Sequence, residues 1–506
     1  MDRPSKFRRC GTALAESEPG PKTVGELCEW PREDISDRLI AKTGISAKNL
    51  VGDFAGADRT IWVTSSFSGI ATVEHCLTRL AAQHGTADFG EPKSTFPPFC
   101  FYSMWEVNET CRKTVANSKL QPMHIFGSVC DKCSVDVQDR LEFVRSSWCQ
   151  RQQEGMPAEQ KRQAAWKQEC DGKCMSKLLS VGTGACGIGK RSKTAYCYRH
   201  KRQCLVDPPV THRDLHFEIA GTPCVAFSPQ GGRSGWLHET SIPTSIWFAA
   251  TSKSNVDLVF HECSHMFPSQ GAFGMAFSAG GGFEFSVVKV MASTVGIPTQ
   301  RPRKFTLAWR KEALQSRAQL TEDLFAGVCG SSVQCSSHDF WCAPQEKVQA
   351  ALIAQAKKHG ADWSLASLGR DALSTGDRVR LSGYETAARD QEGSQDQLAV
   401  VDLSQNVAWR PKLGSGLPSI LCGSRVWSMQ HERVLISEEL FVLMGWPVPG
   451  MGIGMKDDGS FPFQDDIFLK DGAAKKMTGN AMQCRLVGLF LALAFHILEP
   501  KDADAT

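Results

Sequence analysis

Cys224 is the residue of this sequence best placed to act as a nucleophile. A hydrophobic segment at 215–220 predicts a strand, which ends in Gly-Thr-Pro, and the cysteine follows Pro223 directly. Open α/β sheets bind their ligands at the carboxyl edge of the strands, so a substrate would meet the thiol there. Nearby cations would favour the reactive thiolate. The alternative is a small buried apolar cysteine, which is common in proteins.

An acid and two cations are predicted to approach this thiol from separate strands. Glu262 follows a second apolar run at 256–261, and Arg301 and Arg303 follow the Gly-Ile-Pro segment at 296–298. A thiol nucleophile, a carboxylic acid and a pair of guanidinium groups can together attack an electron-poor ring. The combination therefore indicates covalent catalysis on a heteroaromatic substrate.

Two further segments are typical of nucleotide-like cofactor binding. Phe67-Ser68-Gly69-Ile70 joins a predicted strand to a predicted helix, and such a turn can seat a cofactor. Glu106, with Val107 after it, ends the next strand, where an acid can bind ribose hydroxyls. The alternative for Glu106 is an exposed cap of the helix that follows.

The elements that position these residues predict an α/β fold. Strands alternate with helices, which favours a parallel sheet covered on both faces. The predicted strands are 61–67, 98–105, 123–126, 215–220, 256–261, 284–291 and 304–309, and the predicted helices are 71–82, 108–116, 242–253, 437–444 and 481–497. We expect Ser437 to cap its helix and Gly445 to end it.

Composition narrows the class of protein. The 506 residues are 42% apolar and 22% charged, as in a soluble globular protein of two to three domains. A net charge of +3 excludes a polycation, so nucleic-acid contacts would have to come from local basic stretches. The apolar segment 486–498 is shorter than the roughly 20 residues of a membrane span. We expect no membrane association, and we expect the 20 cysteines to be mostly reduced and intracellular.

Seven motifs, in order from Phe67 to about Leu498, resemble those of the cytosine-C5 methyltransferases, which use S-adenosylmethionine. They comprise the cofactor turn, the ribose-binding segment, the nucleophile loop, the acid, the arginine segment, a late helix and a Gly-Asn-Ala turn. The matching segments are 67–70, 106–108, 223–235, 261–263, 295–305, 433–447 and 478–481. The resemblance implies a Rossmann-like methyltransferase sheet with a smaller target-recognition domain.

The resemblance also implies residue roles. Cys224 would attack C6 of cytosine and Glu262 would protonate N3. Arg303 would hold the base, and Arg301 would support its loop. The target base would have to be flipped out of a duplex. The residues implied in cofactor binding are Phe67, Ser68, Gly69, Ile70, Glu106, Val107, Ser128, Pro223, Asn480 and Ala481, of which the last two mainly tie the C-terminal helix to the catalytic domain.

Four regions follow from the same resemblance and from changes in composition. Residues 1–58 lack a convincing pattern and are expected to be a partly disordered extension. Residues 59–311 would form the catalytic domain, with a Cys-rich insertion at 130–210. Residues 312–425 would form the target-recognition domain, and residues 426–506 would return to the catalytic domain.

Several positions depart from the family pattern. Ser128 stands where the family has the acid that meets the adenine amine, and Asp131 is the nearest substitute. Val225, Cys263 and Thr299 replace polar residues around the nucleophile, the acid and the arginines, and Ala71 replaces a glycine. These changes leave the nucleophile, the acid and the arginines in place but predict weaker cofactor binding and slower turnover.

The spare cysteines raise the question of structural zinc, which binds four thiolate or imidazole ligands. Cys170, Cys174, Cys197 and Cys204 are the predicted ligands, with Cys130, Cys133 and His200 near them in the insertion. A second group is Cys329, Cys335, His338 and Cys342. The alternative is that all of these are partly buried thiols.

Three functions remain open at this point. The leading one is methylation of cytosine in DNA, from which a nuclear location follows. The second is the same reaction on RNA, because the family's fold also serves a transfer-RNA enzyme. The third is a catalytically weak protein that keeps the fold and binds nucleic acid or cofactor, a reading that Ser128 and Cys263 favour.

Overall fold

A computed structural model of the chain describes fourteen segments. They are residues 19–30, 35–45, 59–83, 99–157, 159–183, 191–228, 233–278, 282–299, 301–360, 368–389, 400–409, 416–451, 461–468 and 471–501.

A seven-stranded sheet forms the centre of the protein, in the order β3-β2-β1-β6-β7-β9-β8. Its strands are β1 (Ile61–Ser66), β2 (Phe99–Trp105), β3 (His124–Phe126), β6 (Leu215–Gly221), β7 (Leu258–Ser264), β8 (Phe283–Val290) and β9 (Arg303–Arg310). Neighbours from β3 to β7 are parallel, whereas β9 is antiparallel to both β7 and β8. The expectation of an all-parallel sheet is therefore wrong for β9. The segment after β8 turns the chain back without a crossover helix, and β9 then lies between β8 and β7.

Fifteen α-helices occur in the described residues. They are α1 (Val24–Cys28), α2 (Ser36–Thr43), α3 (Thr72–Gln83), α4 (Glu109–Ala116), α5 (Val135–Glu154), α6 (Gln160–Thr183), α7 (Ser241–Ser252), α8 (Ser269–Phe273), α9 (Glu322–Cys329), α10 (Gln345–Lys358), α11 (Leu368–Asp371), α12 (Thr375–Arg389), α13 (Ser437–Leu443), α14 (Asp471–Asn480) and α15 (Cys484–Ile497).

Helices cover both faces of the sheet. Successive side chains of a strand point to opposite faces, and in β7 Leu258 and Phe260 enter one apolar cluster while Val259 enters another. The first cluster contains α3 and α15, and the second contains α5, α6 and α7. The predicted fold class, an α/β sheet with helices on both faces, is confirmed.

The described N-terminal segments, 19–30 and 35–45, contain two helices that the sequence did not indicate. Helices α1 and α2 bury Leu27 and Leu39, and Trp30 packs on α15, where a Cβ at Gly488 would lie 1.9 Å from the indole ring. The expectation of a patternless extension is wrong for these residues. Helices of five and eight residues show too few turns for a clear period.

The insertion consists of α5, α6 and a two-stranded hairpin, β4 (Thr194–Cys197) and β5 (Arg202–Leu205). The helices belong to the core on one face of the sheet, whereas the hairpin lies at its β3 edge, where the Tyr198 N–H donates to the Ile125 carbonyl at 2.7 Å. The insertion therefore adjoins the catalytic sheet at two separate places.

A third, smaller apolar cluster lies between 373 and 434. It contains Leu373, Leu381, Tyr384, Val401, Leu403, Trp427 and Val434. A small sheet of β11 (Val400–Asp402), β12 (Val426–Ser428) and β13 (Arg433–Val434) supports it. Residues just after 312 do not belong to this smaller cluster. Leu314, on β10 (Leu314–Ser316), and Phe325 are part of the main core.

The C-terminal segments return to the main apolar core. Strand β14 (Leu498–Pro500) pairs with β10. The run Asp471–Ile497 is long and apolar enough to cross a membrane by length and composition, but 83% of its most apolar window is buried in the protein, as in a core helix. Ser437 is the first residue of α13 and not its cap, since Ile436 precedes the helix, and Gly445 follows its end with φ +82°.

Candidate active site

The nucleophile loop leaves the carboxyl end of β6. Cys224 is half-buried and directly precedes a 3-10 helix, Val225–Phe227, whose Phe227 N–H donates to the Cys224 carbonyl at 3.0 Å. Thr222 anchors the loop through a 2.8 Å hydrogen bond between its Oγ1 and Nε2 of buried His261. Burial lowers the pKa of His261 to about 3, so this ring is neutral at physiological pH.

The predicted acid and one predicted arginine form a direct ion pair. Glu262 lies on β7 opposite Gly221 of β6, and Arg303 begins β9. Arg303 Nε lies 2.7 Å from Glu262 Oε1, and the side chains are only 15% and 12% exposed. A Cβ at Gly221 would stand 3.9 Å from Glu262 Oε2. The register of three strands therefore brings the carboxylate and the guanidinium beside the strand that carries the nucleophile.

Arg301 binds backbone and is a positioning residue. Its guanidinium donates to the carbonyl oxygens of Ile420, Gly479 at 3.4 Å and Ala481 at 3.1 Å. Burial, followed by the nearby Arg303 charge, lowers the pKa of Arg301. The carbonyl of Thr222, two residues before Cys224, accepts a hydrogen bond from the thiol of Cys263, the residue after Glu262. Glu262 and Arg303 thus form a pair beside the end of β6, the strand that leads to Cys224, whereas Arg301 binds backbone carbonyls.

The cofactor turn after β1 has an unusual backbone. Phe67, Gly69 and Ala71 have φ values of +56°, +57° and +59°. Glycine adopts this left-handed region freely, whereas residues with a Cβ do so at a cost. Ala71, which stands where the family has glycine, is therefore a strained position. Ser68 and Ile70 lie between these residues, and the Ser68 N–H donates to the Trp105 carbonyl at 3.3 Å.

Glu106 connects this turn to the end of β2. Its Oε2 accepts the Gly69 N–H at 2.9 Å and its Oε1 accepts the Asn108 N–H at 2.7 Å. Burial raises the pKa of the Glu106 carboxyl group. Each carboxylate oxygen keeps a lone pair for a further donor. Val107 follows with 74% of its surface exposed, which leaves an apolar side chain available to a ligand.

Ser128, at the end of β3, uses its side chain locally. Its Oγ accepts the Cys130 N–H at 3.1 Å and caps a short 3-10 helix, Val129–Lys132. The neighbouring Asp131 side chain is exposed, and its Oδ2 would lie 3.8 Å from a Cβ at Gly127. An acid is therefore present near this strand end, three residues later than the family pattern has it.

Asn480 and Ala481 fasten the C-terminal helices to the loop at 421–422. The Cys422 thiol donates to Asn480 Oδ1 at 2.9 Å. A Cβ at Gly479 would lie 2.1 Å from the Cys422 nitrogen, so only glycine allows this close approach. Sequence reasoning missed Cys422, and it also missed Met482, whose Cε would lie 2.8 Å from a Cβ at Gly221. Neither residue carries a spacing signal that could have revealed it.

Two of the residues that depart from the family pattern, Cys263 and Thr299, form hydrogen bonds to backbone carbonyls near the site. The buried Cys263 thiol donates to the Thr222 carbonyl at 3.7 Å, and Thr299 Oγ1 donates to the Leu417 carbonyl at 3.2 Å. Val225 is 49% exposed beside the nucleophile. Cys263 and Thr299 thus support the loops around the site.

The cysteines predicted to bind zinc separate into two places. Cys197 and Cys204 lie together in the hairpin with His200, and His124 of β3 completes a group of four. Cys170 and Cys174 lie on α6, where the Cys174 thiol donates to the Trp236 carbonyl at 3.5 Å, so the predicted four-cysteine set is wrong. Sequence spacing missed His124 because it comes from a distant strand.

The second predicted group does not assemble within the described residues. The Cys329 thiol donates to the Leu489 carbonyl at 3.5 Å, and the Cys335 thiol donates to the Pro21 carbonyl at 3.4 Å. These cysteines are buried parts of the main core. Their surroundings match the alternative reading of buried thiols.

No family model and no curated protein sequence matches the chain. The solved structures that it resembles include methyltransferases, the class that the motif order predicted. One is assigned as a DNA modification methyltransferase encoded within an E. coli prophage, at 12% identity over 87% of this chain and 99% of that chain, with a TM-score of 0.41. Another is S. pombe Dnmt2 methyltransferase, at 9% identity over 86% and 98%, with a TM-score of 0.38. A third is Entamoeba histolytica EhMeth, at 9% identity over 86% and 97%, with a TM-score of 0.38. At these TM-scores the likeness carries no case for function, which depends on the chain's own strand order and side chains.

Proposed function

We propose that this protein is a cytosine-C5 methyltransferase that uses S-adenosylmethionine and acts on DNA. The observation that carries the proposal is the Glu262–Arg303 ion pair, which lies beside the end of β6, the strand that leads to Cys224. The cofactor turn lies at the same edge, because a Cβ at Gly221 would stand 3.5 Å from the Phe67 carbonyl.

The residues present fit S-adenosylmethionine. Glu106 would bind the ribose hydroxyls, since its two oxygens are already oriented by the Gly69 and Asn108 N–H groups. Exposed Val107 would pack on the adenine ring. The turn Phe67–Ile70 and Pro223 would enclose the rest of the molecule. S-adenosylmethionine supplies the methyl group, whose bond to sulfur breaks as C5 of the cytosine takes it.

The chain's own residues activate and release the base. The Cys224 thiolate forms a bond to C6, and Glu262 gives a proton to N3, so that C5 becomes nucleophilic. Arg303 orients Glu262 and holds the carbonyl oxygen of the base. After methylation a base removes the C5 proton and the Cys224–C6 bond breaks, which restores the thiolate, while N3 returns its proton to Glu262. The cytosine must leave a duplex to reach this site, at a cost of a few kcal/mol.

DNA is the preferred substrate because a third, small core follows the catalytic strands. It lies in the part of the sequence where the resemblance implies a target-recognition domain at 312–425. Such a domain would grip phosphates and read base edges. A DNA substrate also predicts a nuclear location.

Methyl transfer to two matched substrates tests the proposal. Purified protein, with labelled S-adenosylmethionine, would be given duplex DNA or a structured RNA of equal cytosine content, and the nucleosides would be identified by mass spectrometry. We expect 5-methylcytosine in the DNA and none with the Cys224→Ala variant. 5-Methylcytosine in the RNA alone would show that RNA, and not DNA, is the substrate. Cofactor binding without product in either would favour the catalytically weak protein.

A further inference from the structure

Four side chains at the β3 edge have the composition of a structural metal site. They are Cys197, His200 and Cys204 of the hairpin and His124 of β3, and one ligand atom from each lies within 4.8 Å of the others. Two thiols and two imidazoles without a carboxylate favour Zn²⁺ over calcium or magnesium.

The distances within this group suit a tetrahedral ion. His200 Nδ1 lies 3.5 Å from the Cys197 sulfur and 3.4 Å from the Cys204 sulfur. A tetrahedral zinc site with bonds of about 2.0–2.3 Å places neighbouring ligand atoms roughly 3.3–3.8 Å apart. The two sulfur–nitrogen distances fall in this range, so little movement is needed to bind the ion.

The surroundings of the four residues also indicate a metal. His124 Nδ1 is buried and has no hydrogen-bond partner in the described part of the chain. The Cys197 sulfur accepts the Ile125 N–H at 3.4 Å, which is the kind of outer contact that stabilises a metal-bound thiolate.

We propose that His124, Cys197, His200 and Cys204 bind one Zn²⁺ ion that fastens the hairpin of the insertion to the edge strand β3. Three ligands come from one short hairpin and the fourth from β3, whose next residues lead to Ser128. A bound ion would therefore fix the hairpin relative to the strand end that the proposed function assigns to the cofactor.

The hairpin carries a side chain to that strand end. The Tyr198 ring would lie 3.2 Å from a Cβ at Gly127, and the Arg112 guanidinium stacks on it with its carbon 4.1 Å from the ring centre. Arg112 in turn donates to the carbonyls of Glu106 at 2.8 Å and Val107 at 2.6 Å. Zinc thus supports the cofactor wall through Tyr198 and Arg112, and this second part of the inference rests on the proposed function.

Metal analysis of the full-length protein tests the site without any assay of function. We expect one zinc per chain after purification, and at least a tenfold loss of bound zinc in the double variant Cys197→Ser/Cys204→Ser. The double variant Cys170→Ser/Cys174→Ser is the matched control, because it removes two cysteines of the same insertion and should keep the metal. Substitution with Co²⁺ should give the visible absorption of a tetrahedral thiolate–imidazole site.

The outcomes separate the two proposals. A metal-free protein that gains no thermal stability from added Zn²⁺ would overturn the zinc site. If the Cys197→Ser/Cys204→Ser variant does not fold, His124→Ala, which leaves the hairpin intact, should still lower zinc affinity at least tenfold. Zinc binding together with no affinity for S-adenosylmethionine would leave the metal site standing and reject the cofactor role.

Discussion

The two halves of the sheet's carboxyl edge differ in how they are built. At the β6–β7–β9 half, Glu262 and Arg303 form a buried ion pair, and Arg301 binds three backbone carbonyls. At the β1–β2–β3 half, Glu106 connects the cofactor turn to β2, but Ser128 caps a local 3-10 helix. The hairpin of the insertion lies against the edge strand β3. The register of the strands positions the proposed reacting groups, whereas the proposed cofactor-binding half also depends on an inserted hairpin outside the sheet.

The largest effect is expected at the nucleophile. Cys224→Ala should lower methyl transfer by at least about 10³-fold, because it removes the thiolate proposed to form the bond to C6. S-adenosylmethionine affinity, measured by calorimetry, should stay nearly unchanged. Cys100→Ala, another half-buried cysteine on β2, is the control and should keep full activity. Equal losses of methyl transfer in both variants would contradict a specific role of Cys224 as the nucleophile.

Glu262→Gln tests the acid of the same half. The amide keeps the shape of the side chain but cannot deliver a proton, so kcat should fall about 10²–10³-fold with a small change in cofactor affinity. The exposed Glu284→Gln on neighbouring β8 is the control. Unchanged kcat in Glu262→Gln would assign the ion pair with Arg303 a purely structural role.

Glu106→Gln should act on the other half. Loss of the carboxylate's charge weakens hydrogen bonds to the ribose, and we expect about tenfold weaker S-adenosylmethionine binding, which corresponds to roughly 1.4 kcal/mol. The kcat at saturating cofactor should change little. Glu109→Gln, an exposed residue paired with Lys113 on the adjacent helix, should leave the affinity intact. A kcat effect without an affinity effect would remove Glu106 from the cofactor site.

A smaller gain is expected from Ser128→Asp. Aspartate caps a helix as well as serine does, and it restores the acid of the family pattern beside the cofactor. The affinity for S-adenosylmethionine, measured by calorimetry, should rise by a few fold. Ser128→Asn keeps the cap without the charge and should bind as the parent does. If the affinity for S-adenosylmethionine rises in both variants, the cause is the helix cap and not the restored negative charge.

The smallest effect concerns Asp171 of α6, which links the insertion to the nucleophile loop by accepting the Trp236 N–H. Burial raises the pKa of Asp171 to about 6. Because this exceeds the unfolded value of about 4, the folded state binds more protons between these values. The residue's contribution to stability therefore falls as pH rises from about 4 to 6. Asp171→Asn should flatten the dependence of Tm on pH in this window, and an unchanged slope would contradict the assignment.

Local patterns predicted the strands well because each is a short apolar run with a clear end. Strand β2 was expected at 98–105 and occurs at Phe99–Trp105, and the predicted helix 242–253 occurs at Ser241–Ser252. The insertion helices α5 and α6 were missed because they are so polar that their apolar residues show no clear helical period. Their buried residues pack against the core on one face of the sheet. The order of β9 in the sheet is a long-range property that no local pattern contains.

The candidate site divides in the same way. Cys224, Glu262 and Arg303 could be found because each lies just after or just before a predicted strand, and such positions meet at one edge. His124, Cys422 and Met482 could not be found, since each is brought to its place by contacts with residues distant in sequence. The roles of the ten cofactor residues remain predictions that binding measurements can test.

Trapping with 5-fluorocytosine tests the central claim most directly. The protein would be incubated with S-adenosylmethionine and duplex DNA carrying the fluorinated base, whose fluorine cannot leave C5 as a proton does. We predict a stable protein–DNA adduct whose peptide contains Cys224 and which is absent from Cys224→Ala. An adduct that persists in this variant, or no adduct while cofactor still binds, would contradict the account.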